Sequence, residues 1–294
     1  GLQKSIEYFN QAIEKDANYA LAYAGLAASY SVLGNNYQNP KESYARSKAA
    51  SAKALELDDT LVEVHEVLAA INLFYDWDWP AVERELKRGL DLNPNYASVH
   101  QLYCYYLRDM GRLDEAIVEA KRALELDPLS QIINTDLART YLYARQYEQA
   151  IEQIRKTLEM EPNSLPAHQW LVRWYNLTEK YPEAIAEANL VISRFGRDQT
   201  SLFFLGLVYA KSGERGEARK LLKELKGQGK SYVFPAFAAS IHATLGETDA
   251  ALALLDQAYE ARDPSLIDLK VDPMFDPLRS DPRFTMLLRR MGLP

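Results

Sequence analysis

Residues 97–128 read ASVHQLYCYYLRDMGRLDEAIVEAKRALELDP and carry the pattern of two consecutive amphipathic helices. Apolar or small residues recur at helical spacing in each half, at His100, Tyr103, Cys104 and Leu107 and then at Ala116, Ala120, Ala123 and Leu124. Gly111 separates the halves, because glycine at a helix C-terminus adopts positive φ at little cost. Pro128 ends the second half, because the residue before proline is pushed out of the helical region. The stretch predicts a helix, a short turn and a helix.

This unit recurs along the chain with a period of 34 residues. Prolines keep that spacing at Pro94, Pro128 and Pro162, alanines at Ala116, Ala150, Ala184 and Ala218, and leucines at Leu137, Leu171 and Leu205. A period of this length indicates stacked supersecondary units. We therefore predict an all-α fold, a right-handed α-superhelix (solenoid) of helix–turn–helix repeats with a C-terminal capping segment.

The repeat resembles the tetratricopeptide repeat, whose first helix carries bulky, small and tyrosine residues and whose second helix carries alanines before a final proline. Residues at these positions include Tyr23, Leu26, Ala27 and Tyr30 in an early unit, and Leu171, Val172, Tyr175 and Ala184 in a later one. The resemblance covers about residues 1–262 and implies protein or peptide binding without catalysis.

The register divides the chain into a solenoid, residues 1–262, and a C-terminal cap, residues 263–294. An orphan helix spans residues 1–16, and seven repeats follow at about 20–59, 62–94, 97–128, 131–162, 165–196, 199–228 and 231–262. The turn inside the first repeat is lengthened around residues 35–40, and the turn inside the second around residues 76–79. In the cap, Asp–Pro pairs at 263–264, 272–273, 276–277 and 281–282 predict the starts of short helices.

The orphan helix lacks a partner, so the stripe formed by Ile6, Phe9 and Ile13 is expected to be exposed. A solenoid end normally carries a polar cap. Either the chain is a fragment of a longer protein, the interpretation we favour, or another molecule covers the stripe. In the second case the chain is a self-association module that forms a homodimer and dimerises an attached output domain.

The stretches YDWDWPAVERELKRGLDLNPNYA and AYEARDPSLIDLKVDPMFDPLRSDPRFTMLLRRMGLP resemble a bacterial group of tetratricopeptide proteins. In that group the repeats follow a winged-helix, protein-kinase or nucleotide-cyclase domain, often with a TolB-like segment between. The resemblance implies the sensory or interaction region of a larger signalling or transcription-regulatory protein. It implies a cytoplasmic location, or a periplasmic one if the parent protein has a membrane span upstream.

Composition limits the classes of partner that the chain is expected to bind. The 294 residues are 48% hydrophobic, but no run of about 18 apolar residues predicts membrane insertion. A net charge of −7 argues against direct nucleic-acid binding, which would need a basic stripe. The single cysteine excludes an internal disulfide.

No combination of residues predicts catalysis, a metal site or a cofactor. His65, His100 and His168 occupy one repeat position in different units, which favours packing between helices over metal binding. Residues 227–231 read GQGKS, like the end of a phosphate loop, but Glu224 replaces the earlier glycine and no strand precedes. A flexible turn is the favoured interpretation.

First helices of such repeats line a groove, and the register places nine candidate ligand-binding residues there: Gln101, Tyr105, Arg108, Thr135, Arg139, Gln169, Arg173, Asn176 and Phe203. Three arginines on one face of an acidic chain predict a site for an acidic or C-terminal peptide, because the guanidinium engages carboxylate bidentately. The alternative is that the arginines pair with acids on neighbouring helices, such as Asp109 or Asp136.

A second candidate interface is the turn that carries Trp77 and Trp79, since tryptophans are frequent interface anchors. The alternative is that both rings pack into the lengthened turn.

Overall fold

The computed structural model describes residues 1–35, 40–227 and 235–293, which contain helices and no strand. The all-α prediction is confirmed. The lengthened first turn at 36–39 and residues 228–231 of the GQGKS turn lie outside the described residues. The chain divides into two compact units, Gly1–Tyr106 and Leu107–Pro294.

The first unit is built from helices that alternate with short links. They are α1 (Leu2–Lys15), α2 (Ala20–Asn35), α3 (Pro40–Leu57), α4 (Val62–Ile71), α5 (Trp79–Leu92) and the greater part of α6 (Ala97–Asp109). A turn of π-helix, Asn72–Asp76, extends α4, and Trp77 then takes a left-handed conformation with φ 56°. The Asp78 carboxylate accepts a hydrogen bond from Ala81 N at 3.1 Å and so caps α5. The extra residue of this turn is therefore absorbed by the π-turn.

The second unit continues with the same alternation. Its helices are α7 (Leu113–Leu126), α8 (Gln131–Tyr143), α9 (Tyr147–Met160), α10 (Leu165–Leu177), α11 (Tyr181–Phe195), α12 (Gln199–Lys211), α13 (Arg215–Gly227), α14 (Pro235–Thr244), α15 (Thr248–Glu260) and α16 (Pro282–Arg290). Two short 3₁₀ helices, Pro264–Leu266 and Pro273–Leu278, lie between α15 and α16.

Small residues let the helices of each repeat pack closely. The four alanines at 34-residue spacing, Ala116, Ala150, Ala184 and Ala218, are all fully buried. A larger side chain at any of these positions would enter a close-packed interior, where added volume forces neighbours out of their preferred conformations.

A hydrogen bond at one repeat position ties three successive first helices, α6, α8 and α10, to the link before each of them. His100 Nε2 donates to Pro94 O at 3.0 Å, and His168 Nε2 donates to Pro162 O at 3.0 Å. In the repeat between them, Asn134 Nδ2 donates to Pro128 O at the same distance. The prediction that His65, His100 and His168 pack between helices is confirmed, since all three are buried.

The turns inside four successive repeats use a left-handed residue. Positive φ recurs at 34-residue spacing at Gly111, Arg145, Glu179 and Gly213. Gly111 N donates to Arg108 O and Arg112 N to Leu107 O, both at 2.8 Å, which satisfies carbonyls that the helix end leaves open. Arg145 and Glu179 adopt the same conformation without the freedom of glycine.

Three of the four Asp–Pro pairs in the C-terminal segment start helices as predicted. Asp263, Asp272 and Asp281 each accept a hydrogen bond at 2.9 Å from the backbone N–H two residues on. Asp276 differs, because Pro277 lies inside the second 3₁₀ helix. Its carboxylate binds Arg145 and Arg279 instead.

Candidate functional site

In the second unit, the segment of residues 263–281 lies against the first helix of successive repeats. It brings carboxylates to three arginines, Arg108 at the end of α6, Arg139 on α8 and Arg173 on α10, which we call the arginine cluster. Arg108 is fully buried and Arg173 is 5% exposed. The sequence predicted these arginines on one face, and the structure brings them together around the chain's own C-terminal segment.

Two aspartates of that segment bind the arginine cluster. Arg108 Nε donates to Asp268 Oδ1 at 2.7 Å, and Arg139 Nη1 lies 3.4 Å from Asp268 Oδ2. Arg173 Nη2 donates to Asp272 Oδ1 at 2.6 Å. Burial alone would raise the pKa of Asp268, but the arginines outweigh it and hold that pKa below its usual value.

Aromatic rings complete the arginine cluster. Tyr143 OH donates to Asp268 Oδ2 at 3.3 Å and to Asp272 Oδ2 at 3.2 Å, so it bridges the two carboxylates. The Arg173 guanidinium lies 4.9 Å from the centre of the Trp170 ring, a cation–π distance. Burial and the two aspartates raise the pKa of Tyr143, which keeps its hydroxyl protonated as a donor.

A third carboxyl, Asp109, is fully buried beside this cluster. Burial raises its pKa well above the usual value, and the negative charge of Asp268 raises it further. Arg108 and Arg139 offset only part of this. Asp109 therefore holds a proton more readily than Asp268, whose pKa is lowered.

Two further contacts, outside the arginine cluster, fix the segment of residues 263–281. Lys270 Nζ donates to Met110 O at 2.8 Å, and a Cβ at Gly111 would lie 3.1 Å from that nitrogen. Arg145 Nη2 donates to Asp276 Oδ2 at 2.6 Å. The absence of a side chain at Gly111 thus leaves room for the close approach of Lys270.

The other predicted groove residues of the second unit are buried or half-buried. Thr135 Oγ1 donates to the carbonyls of Gln131 and Ile132 at 2.9 Å, within its own helix. Phe203 is 1% exposed and stacks on Phe237 with ring centres 4.2 Å apart. Asn176 is buried, and Gln169 is half-buried on α10.

Gln101 and Tyr105 belong to the first unit. Gln101 Nε2 donates to Tyr105 OH at 2.9 Å. The Tyr105 ring meets Phe74 edge to face, with centres 6.2 Å apart. Both predicted groove residues thus have partners within their own unit.

Of the two candidate interfaces of the first unit, the tryptophan turn is packed, as the alternative interpretation predicted, and the α1 stripe is more buried than the sequence suggested. Trp77 and Trp79 are each 6% exposed, so the rings pack into the turn and offer a partner little surface. The expected exposed stripe of α1 packs on α2, with Ile6 buried and Phe9 and Ile13 partly buried in one apolar cluster. The physical reason is that α2 is apolar enough to cover it.

A cavity of about 370 Å³ lies between α2 and α4 of the first unit. We call it the α2–α4 groove; its walls include Leu21, Ala28 and Val32 on α2, and Glu63, Glu66 and Val67 on α4. Leu21 and Val32 are 48% and 44% exposed. Glu66 accepts hydrogen bonds from Tyr96 and Ser98. The groove is apolar with an acidic edge.

Sequence reasoning missed the aspartates of the arginine cluster and the α2–α4 groove. A signal for the first was present in Asp268, Asp272 and Asp276, four residues apart in a segment that breaks the period. A signal for the second was the sequence of α2, ALAYAGLAASYSVLGN, which is apolar on every side although one side must face outward.

Within the described residues, no group of three or more His, Cys, Asp or Glu side chains could hold a metal ion. None of the helices in that part of the chain is both long and apolar enough to cross a bilayer.

Comparison with known proteins identifies the repeat. The family model described as tetratricopeptide repeat matches residues 107–169. The chain therefore contains tetratricopeptide repeats, and its fold is that of the all-α solenoids built from them. No match to the sequence was found among curated proteins.

Solved structures share the fold at low identity. A tetratricopeptide repeat protein from Parabacteroides merdae is 14% identical, with 98% of this chain and 99% of that one covered and a TM-score of 0.62. Yeast Tom70 is 16% identical over 98% of this chain and 62% of its own, with a TM-score of 0.60. PilF of Pseudomonas aeruginosa is 20% identical over 76% and 96%, with a TM-score of 0.53. At these identities the likeness extends to the fold.

Proposed function

We propose that this chain is a non-catalytic scaffold that binds proteins or peptides. The proposal rests on one observation, that the arginine cluster binds the chain's own C-terminal segment. There, helices of successive repeats hold a non-repeat segment of turns and short 3₁₀ helices by its carboxylates. A face that binds one such segment has the chemistry to bind another.

The ligand of this face would be a protein or an acidic, C-terminal peptide. Arg139 is the most accessible member of the arginine cluster, with 18% of its side chain exposed. Because Asp268 and Asp272 already engage the cluster, an external carboxylate would compete with the chain's own segment.

The biological setting we propose is a larger bacterial signalling or transcription-regulatory protein. Its support is the resemblance of residues 75–97 and 258–294 to such proteins. In that setting the chain would be the sensory or interaction region, in the cytoplasm, and an attached domain would carry the output. Direct nucleic-acid binding is not part of the proposal, since the net charge is −7.

A second candidate is self-association through α1. Tyr8 is 66% exposed on this helix, on a different face from the packed residues Ile6 and Phe9. A homodimer on this face would predict concentration-dependent sedimentation that Tyr8→Glu abolishes. Sedimentation as a monomer at all concentrations would exclude it.

The scaffold function is tested by affinity capture on the immobilised full chain from a lysate of the source organism. Captured proteins are then purified and titrated by calorimetry. The function predicts a partner that binds saturably, at a defined stoichiometry. A synthetic peptide of residues 263–281 is added as competitor, and its matched control has Asn at the three positions of Asp268, Asp272 and Asp276.

Each outcome has one meaning. Competition by the acidic peptide alone supports recognition at the arginine cluster. Saturable binding without competition supports the scaffold function and excludes the cluster as the site. If no protein binds saturably, the scaffold function is wrong.

A further inference from the structure

The α2–α4 groove is an apolar cavity, and one of its walls is α2, a helix with no polar side. Along α2, Leu21, Ala28 and Val32 lie on one face, and Val67 of α4 lies opposite. Nearly half of the Leu21 and Val32 side-chain surfaces remain exposed. The volume of about 370 Å³ falls in the range of ligand pockets. Large apolar side chains exposed around a cavity mark interaction sites.

Small residues and a fixed ring give the groove its shape. Gly25 lies at the wall of the groove, and a Cβ there would lie 2.3 Å from Phe9 Cζ. The Phe9 ring therefore rests directly on the α2 backbone. Ala28 and Ala70 leave space beside it. The groove is pre-formed, so a ligand would enter it without displacing the helices.

The groove also has an unbalanced charge. Glu63 and Glu66 both line it and are half-buried. The hydrogen bonds from Tyr96 and Ser98 bring no positive charge to Glu66. Burial raises the pKa of Glu66, and the negative charge of Glu63 raises it further. A cation placed between the two carboxylates would compensate both.

We propose that the α2–α4 groove binds an apolar segment of a partner protein that carries one lysine or arginine, whose cation lies between Glu63 and Glu66. The inference rests on the proposed scaffold function and names the partner chemistry of a second site. The occupant is a protein other than this chain, because two copies of a chain with net charge −7 repel each other while a basic partner is attracted. This chemistry is opposite in sign to that of the arginine cluster.

The charge is tested with the full chain and an array of pentapeptides. Each peptide has Lys, Gln or Glu at its centre and Leu, Ile, Val or Phe on both sides. We expect the best Lys peptides to bind about tenfold more tightly than the Gln peptides with the same flanks, as for a charge-assisted pair. The double variant Glu63→Gln, Glu66→Gln should remove that preference. The matched control, Glu148→Gln with Glu159→Gln on exposed positions of α9, changes the net charge equally and should retain it.

The apolar wall is tested by Leu21→Ser with Val32→Ser. We expect the Lys peptides to bind at least about tenfold more weakly, since two apolar contacts are lost. Leu129→Ser, at a 79% exposed leucine outside the groove, is the control and should bind as wild type does. Circular dichroism of every variant shows that the helices are retained.

Several results would overturn the proposal. One is equal binding of Lys, Gln and Glu peptides, and another is unchanged binding by the serine variant. A dimer in sedimentation that the serine variant dissociates would assign the groove to a second copy instead. If the partners captured from lysate bind wild type and serine variant alike, the scaffold function stands and the groove assignment alone is wrong.

Discussion

The arginine cluster and the α2–α4 groove are built from first helices of the same kind of repeat, yet one is filled and the other is open. In the second unit, three arginines meet three carboxylates, because Asp268 and Asp272 bind the cluster and Asp136 lies 3.1 Å from Arg139. The Tyr143 hydroxyl bridges Asp268 and Asp272. In the first unit, Glu63 and Glu66 line a cavity in which the described residues supply no cation. The contrast is between a charge-balanced interior and an unbalanced surface.

The difference teaches that charge on the inner face of a repeat does not by itself locate a ligand. The arginines look like a binding site in the sequence because they share one face. Their partners come from a distant segment, which lies 99 residues further along for the pair Arg173–Asp272 and 160 residues further along for Arg108–Asp268. The open groove shows the reverse case, in which a helix without a polar face leaves apolar surface uncovered.

The largest effect is expected from Asp272→Asn in the arginine cluster. Asn keeps an oxygen for the hydrogen bond from Met274 N but removes the charge that compensates Arg173, which is 5% exposed. Leaving a buried cation uncompensated costs about 3–5 kcal/mol. Urea denaturation followed by circular dichroism measures the loss in the free energy of unfolding.

Asp276→Asn is the matched control. It removes the same charge from the same segment, but its partner Arg145 has 52% of its side chain exposed. Exposed pairs contribute less than about 1 kcal/mol. Equal losses in the two variants would mean that burial does not distinguish the filled site.

The second-largest effect is expected from Asp109→Asn, which should change how the free energy of unfolding depends on pH. Because the pKa of Asp109 is raised in the folded chain, its proton stabilises the fold fully below the unfolded pKa. That contribution is lost as pH rises toward the folded pKa, by about 1.4 kcal/mol per pH unit. Asn cannot titrate, so the variant should be more stable than wild type at pH 8, and by less at pH 5.

Urea denaturation at a series of pH values tests this sign. Asp114→Asn, which removes an exposed carboxylate of α7, controls for the loss of one charge. If wild type instead gains stability relative to Asp109→Asn between pH 5 and pH 8, the pKa of Asp109 is not raised in the folded chain.

Much of the fold follows from the period, whereas the pairing within the sites does not. The spacing of Ala116, Ala150, Ala184 and Ala218 predicts buried helix crossings, and all four are fully buried. Register also puts the three arginines on one face. The path of residues 263–281 breaks the period, so the contacts of Asp268 and Asp272 depend on long-range packing that no local pattern encodes. Periodicity likewise assigns no outer face to α2, because the helix is apolar all round.

A smaller effect is expected from Gly25→Ala at the wall of the α2–α4 groove. The new Cβ would lie 2.3 Å from the Phe9 ring, which must move. Overpacking costs about 1–3 kcal/mol, and the better helix propensity of alanine returns about 1 kcal/mol. Thermal denaturation should show a net loss of about 1 kcal/mol.

Gly206→Ala is the comparison in the second unit. Its Cβ would lie 3.0 Å from Ile241 Cδ1, the end of a flexible side chain that can shift. We expect it to be nearly neutral. If Gly25→Ala is neutral as well, the Phe9 ring is not fixed and the groove is not pre-formed.

The smallest effect on stability, and the sharpest test of the contrast, is expected from Glu63→Gln. In the arginine cluster every charge has a counterpart, so removing one is costly. In the α2–α4 groove Glu63 raises the pKa of Glu66, so its removal should lower that pKa, which burial still holds above its usual value. The free energy of unfolding should change by less than about 0.5 kcal/mol. NMR titration of the Glu66 carboxyl and urea denaturation measure the two quantities. A loss of more than about 1 kcal/mol would mean that Glu63 already has a stabilising partner inside the chain, and the first unit would then be filled in the same way as the second.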